Sequence, residues 1–151
     1  MVVGFSVGSY RDGQKKDTLR NIELTKDFVI NLVTETLAPA MNVTAAPYPR
    51  EISEFVKAGL TPIKADIVNA PMVAESPVKM ECRVIQIIEF GKTPTTNSLI
   101  LGSVLRVHVA DEFWNKLTRR VDGLRPIARL GGEGDIYCRT DDTFQMKRPT
   151  I

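Results

Sequence analysis

Apolar and polar positions along the chain follow two regimes that meet near residue 60. In the first, VVGFSV (2–7) is a short β-prone run, and the strongly polar RDGQKKD (11–17) follows it. Leu19 and Ile22 then recur at helical spacing, which predicts a helix over 18–25 with Asp17 as its N-cap. DFVINLVT (27–34) is almost continuously apolar and predicts a well-buried strand. TETLAPAMNVTAA (34–46) predicts a helix over 35–45, and the proline-rich stretch after it a loop. EISEFVKAGL (51–60) has helical spacing at Ile52, Phe55 and Val56, with Gly59 as the C-cap of a helix over 51–58.

Beyond residue 60 the period shortens to two. In SPVKMECRVIQIIEF (76–90), Val78, Met80, Cys82, Val84 and Ile88 share one face, and Lys79, Glu81 and Arg83 the other. GKTPTTN (91–97) is a turn into SLILGSVLRVHV (98–109), so the two long strands form a hairpin. In the second strand His108 shares a face with Val104 and Arg106. Ile85 and Ile87 point away from Val84 and Ile88, and a second apolar face calls for a partner, so a homodimer is expected. Many strands, few helices and no βαβ rhythm predict a mainly β protein, a β-barrel with small helices outside. The tail after residue 139 is polar and reads as a loose or partner-binding arm.

Composition narrows the functional classes. A chain of 151 residues, 43% hydrophobic and 25% charged, is of globular type and long enough for one core. A net charge of +2 gives no support for nucleic acid or an anionic membrane as partner. No apolar run is long enough for a spanning helix and no leader pattern is present, so a cytoplasmic protein is expected. Cys82 and Cys138 lack metal-site spacing, and His108 is the only histidine. No metal site and no Ser–His–Asp triad are expected. Trp114 reads as a core or interface anchor. RLGGEGDIY (129–137) is glycine-rich but lacks the spacing of a dinucleotide fingerprint.

One polar stretch has a sharper chemistry. A helix opening at Thr18 directs free N–H donors, the Thr18 hydroxyl and the ammonium of Lys15 or Lys16 toward one point, an arrangement that suits a phosphate. The alternative is a solvated turn with an ordinary Asp cap.

The stretches GFSVGSYRDGQKKDTLRNI, FVINLVTETLAPAMNVTAAPYP and EFVKAGLTP, continued by VAESPVKMECRVIQI, LILGSVLRVHV and RPIARLGGEGDIY, together resemble the flavin reductase-like family of FMN-binding split barrels. The resemblance spans nearly the whole chain. It implies that Lys16 and Thr18 contact the FMN phosphate, and that Ser6, Val7 and Gly8 line the flavin. Asn31, Thr44 and Ala45 fall at further positions near the flavin, and His108 at the mouth of the site. The implied activity is hydride transfer from NAD(P)H to flavin by a homodimeric oxidoreductase that can supply reduced flavin to a partner oxygenase. In such proteins the cofactor carries the chemistry, so the lack of an acid–base set is no objection. The family also carries leading strands with an Asn-x-Ala-Pro-x-Ser stretch that this sequence does not contain. The expectation is therefore a single domain over 1–151, truncated at its N-terminus. A noncatalytic flavin-binding or interaction subunit, or an inactive remnant, is the alternative.

Overall fold

The computed structural model describes residues 1–92, 94–131 and 135–150. The centre of the glycine-rich loop, 132–134, and Thr93 of the hairpin turn lie outside the described residues. The chain begins with β1 (Val2–Gly8), α1 (Asp17–Thr25) and β2 (Asp27–Asn31), followed by α2 (Ala38–Thr44) and α3 (Glu54–Ala58). Two short strands, β3 (Pro62–Ile63) and β4 (Met72–Val73), precede the long hairpin of β5 (Val78–Lys92) and β6 (Thr95–Val109). Two small antiparallel pairs complete it: β7 (Trp114–Asn115) with β8 (Arg120–Val121), and β9 (Ile127–Arg129) with β10 (Tyr137–Arg139). The three helices fall where the periodicity places them, and Gly59 ends α3 in the left-handed conformation (φ 65°) that glycine adopts without a Cβ penalty.

The main sheet has the order β1-β6-β5-β2, with every neighbouring pair antiparallel. This confirms the mainly β class and the hairpin. One sheet face carries Phe5 and Val7 of β1, Phe28 of β2, Cys82 of β5 and Ile100 of β6, and α1 closes it with Leu19 and Ile22. Phe5 and Phe28 meet edge to face at 5.3 Å between ring centres. Gly102 lies beneath the Phe28 ring: a Cβ there would come within 2.4 Å of Cζ.

Two irregularities change the strict alternation of the hairpin. Cys82 pairs with Val104 while the preceding residue, Glu81, pairs with Arg106, which leaves Leu105 as an extra residue in β6. Val84 pairs with Gly102 and Gln86 with Leu101, which leaves Ile85 extra in β5. Each β-bulge exchanges the faces of all residues beyond it. Two expectations fall as a result. Ile87 points inward, pairs with Ile100 and packs against the core, while Ile85 remains 57% exposed. Val104 joins the core rather than sharing a face with Arg106 and His108. Glu81 keeps its place on the face opposite Cys82, yet has no exposed surface at all.

The second sheet face explains the burial of Glu81. The segment 64–73 lies across it and buries Ala65, Val68 and Met72 against Val29 of β2. Because this segment has no strand partner over residues 66–69, its amides need acceptors from elsewhere. Side chains of the sheet supply them. The Glu81 carboxylate accepts N–H bonds from Asp66, Ile67 and Val68, at 3.2, 2.6 and 3.0 Å. Asp27 accepts from Asn69 at 3.2 Å, and Asn31 from Val73 at 2.9 Å. Among the described residues, no buried side-chain nitrogen or oxygen lacks a partner.

Candidate functional site

The polar loop between β1 and α1 ends in an uncapped helix. The residue before α1 is Lys16, not the expected Asp17, and no side chain caps the helix. Asp17 is instead the first helical residue, and its carboxylate meets Arg50 at 3.2 Å. The first bond of the helix runs from the Arg20 N–H to the Lys16 carbonyl. The N–H groups of Asp17, Thr18 and Leu19 precede it and find no acceptor among the described residues. Such donors, together with the positive end of the helix dipole, favour an anion.

A trough runs past this helix start. One cavity of 360 Å³ is lined by Tyr10, Lys15, Arg20 and Arg50. A second, of 330 Å³, shares Asp17 and Arg50 with it and adds Thr18 and Asn21. Glu54 and Phe55 of α3 join the second cavity to a third, more apolar one of 280 Å³, lined also by Asn31, Met41, Thr44 and Val73. Burial and the neighbouring Asp17 both push the Glu54 carboxyl above its usual pKa. The trough thus offers cationic and N–H donors at one end and apolar walls at the other.

Of the residues singled out in the sequence, Lys15, Thr18, Asn31 and Thr44 line this trough; Ser6, Val7, Gly8, Lys16, Ala45 and His108 do not. Thr18 lines the second cavity, while Lys16 Nζ stands 5.9 Å above the Tyr10 ring centre and Lys15 Nζ is paired with Glu23 at 2.6 Å. Ser6 is exposed and Gly8 half-buried on one face of β1; the Val7 side chain enters the core on the other. Asn31 and Thr44 share the third cavity; Thr44 Oγ1 donates to the Met41 carbonyl at 2.7 Å. Ala45 is the exposed C-cap of α2. Trp114, 38% exposed in β7, is no core anchor.

His108 lies apart from the other residues. Its Nε2 is 2.6 Å from Glu81 Oε1. Burial by itself would raise the pKa of Glu81. The bond to His108 and those from the amides of Ile67, Val68 and Asp66 outweigh it and hold the pKa at about 2. Asp66, Glu81 and His108 hold their ligand atoms within 4.8 Å of one another, a spacing that would suit a cation. Four donors already occupy the two Glu81 oxygens, so the carboxylate has no lone pair left to give. Sequence alternation missed Glu81 and Asp27 as acceptors. The available signal was an acid between Met80 and Cys82, on the strand that pairs with the one carrying the sole histidine.

The class defined by these elements is a mainly β protein, an antiparallel sheet with small helices packed outside. Residues 1–124 match the flavin reductase like domain, and the chain belongs to that family. It is 38% identical over 153 residues to an uncharacterized protein of Halalkalibacterium halodurans, spanning 99% of this chain and 72% of that one. Among solved structures it is similar to nitrilotriacetate monooxygenase component B from Bacillus cereus, with a TM-score of 0.87 and 34% identity over 96% of this chain and 71% of that one. It is also similar to the 2-nitrobenzoate 2-nitroreductase of Pseudomonas fluorescens, with a TM-score of 0.82 and 29% identity, covering 99% and 70%. The split-barrel fold expected from the sequence is thereby established. Among the described residues no helix is long and apolar enough to cross a membrane.

Proposed function

We propose that the chain binds FMN in the trough, with the phosphate at the start of α1 and the ring toward Asn31 and Thr44. The observation that carries this reading is the uncapped α1 N-terminus: three free N–H groups beside the Thr18 hydroxyl and the Arg50 guanidinium, at the polar end of a row of neighbouring cavities. These groups fit a phosphate, which needs several donors and a compensating positive charge. The flavin, when bound, supplies the hydride chemistry. The roles of this chain are to hold the phosphate through α1 and to keep the ring against the apolar wall of Phe55, Met41 and Val73.

NAD(P)H is the reductant this reading assigns, and a monooxygenase the acceptor of reduced flavin. The likeness to a monooxygenase component supports that assignment. A homodimer belongs to the same reading. Its interface would cover Ile85, Leu105 and Val107, apolar side chains of the central hairpin that are 57%, 39% and 47% exposed. His108 acts in this scheme through Glu81 rather than on the flavin.

The test is a titration with FMN and with riboflavin, which lacks the phosphate. Replacing Lys16 and Thr18 together by Ala should weaken FMN roughly tenfold or more, since a charge-assisted bond contributes about 1.5–3 kcal/mol, and should leave riboflavin nearly unchanged. Equal loss for both ligands would remove the phosphate from this position. Loss of nicotinamide absorbance on mixing NADH with the FMN-bound protein then distinguishes a reductase from a flavin carrier.

A further inference from the structure

The apolar end of the trough is walled by Pro71 and Val73, which belong to the segment that crosses the second sheet face. Its end pairs with β3 through Met72 and Val73, and Arg106 meets the Asp66 carboxylate; five of its amides are held by side chains of the main sheet. Asp66, Ile67 and Val68 donate to Glu81, Asn69 to Asp27 and Val73 to Asn31. Glu81 takes three of these five amides and is inaccessible to solvent. His108 holds the same carboxylate from β6.

We propose that Glu81 is a positioning residue for the ligand cavity: it fastens segment 66–73 across the sheet and so sets the place of the Pro71 and Val73 wall. The chemistry requires an ionised carboxylate. Only an acceptor on both oxygens meets three converging N–H donors and an imidazole; an amide would turn its own NH₂ against one of them. Asp at this position is one carbon too short to span from β5 to the segment. His108 fixes the orientation of the carboxylate and gives the sole histidine of the chain a structural task.

The flavin reading enters this proposal only through the ligand used to report the wall, and the experiment separates the two. Amide exchange is measured residue by residue by NMR on the ligand-free chain and on Glu81→Gln, and both proteins are titrated with FMN and riboflavin. Exchange at Ile67, Val68 and Val73 should rise roughly tenfold or more in the variant, because charged acceptors are lost from buried amides. Affinity for FMN and for riboflavin should fall by the same factor, because the wall touches the ring end and not the phosphate end. Unchanged exchange at 67 and 68 would overturn the proposal. Faster exchange there with Val73 and both affinities unchanged would overturn it as well, since the segment would then loosen without moving the wall. If the parent chain binds neither flavin, the flavin reading fails and exchange at Val73 alone decides the role of Glu81. Should Glu81→Gln fail to fold, His108→Ala keeps the three amide bonds but frees the carboxylate. A rise in exchange at 67 and 68 of about threefold is then expected, and no rise would overturn the proposal.

Discussion

The two faces of the main sheet are closed by different physics. Toward α1, Phe5, Val7, Phe28, Cys82 and Ile100 meet Leu19 and Ile22, and the contact is apolar throughout. Toward segment 64–73, a small apolar cluster around Val68 and Met72 is accompanied by Glu81, Asp27 and Asn31, which serve the backbone of the covering segment. A helix satisfies its own backbone, so α1 asks only for an apolar surface beneath it. A segment without regular structure cannot, and the sheet must offer acceptors wherever such a segment is buried. Polar side chains therefore sit inside the face opposite Cys82, where a covering segment needs them.

Breaking either face should be costly, but only one breach should alter the response to pH. Phe28→Ala opens the apolar face and should cost about 3–5 kcal/mol in urea unfolding, with the parent pH dependence retained. Glu81→Gln leaves amides without their charged acceptor and should cost about 3–5 kcal/mol near neutral pH. The sign of the pH effect follows from the folded pKa of about 2, below the ordinary 4.5. A depressed carboxylate contributes stability that is present above the ordinary value and lost as pH falls toward the folded one. The stability difference between parent and Glu81→Gln should therefore shrink from pH 5 to pH 2, by unfolding curves at each pH. A constant difference would mean that the carboxylate charge is not what fastens the segment.

Gly102→Ala places a methyl group against the Phe28 ring and should cost about 1–3 kcal/mol through overpacking. Ile85→Lys and Ile87→Lys differ by two positions, so strict alternation would make them equivalent. With the bulge, Ile87→Lys buries an ammonium in the core and unfolds the chain or nearly so, whereas Ile85→Lys should change folding stability by less than about 0.5 kcal/mol. Ile85→Lys should also shift the sedimentation of a dimer toward monomer. Equal stability effects at the two positions would mean that the bulge after Val84 is absent in solution.

Local pattern in the chain was enough to determine the elements: three helices and a long hairpin follow from spacing, and Gly59 from its place at a helix end. The family was also legible, because stretches such as GFSVGSYRDGQKKDTLRNI carry it in residue order. Alternation also located core positions on β5, among them Met80, Cys82 and Val84. What it could not place were Ile87, Val104 and Glu81. The faces of the first two depend on extra residues at Ile85 and Leu105, and a bulge is a property of the pairing between two strands, not of either strand alone. The burial of Glu81 depends on a segment 13 to 15 residues away that arrives with unsatisfied amides. The trough was out of reach for the same reason. Thr18, Arg50, Glu54 and Asn31 come from four separate elements and loops, and only their packing brings the donors of α1 to one end and apolar walls to the other. Local periodicity determines which residues prefer burial; long-range pairing decides what each buried group finds there.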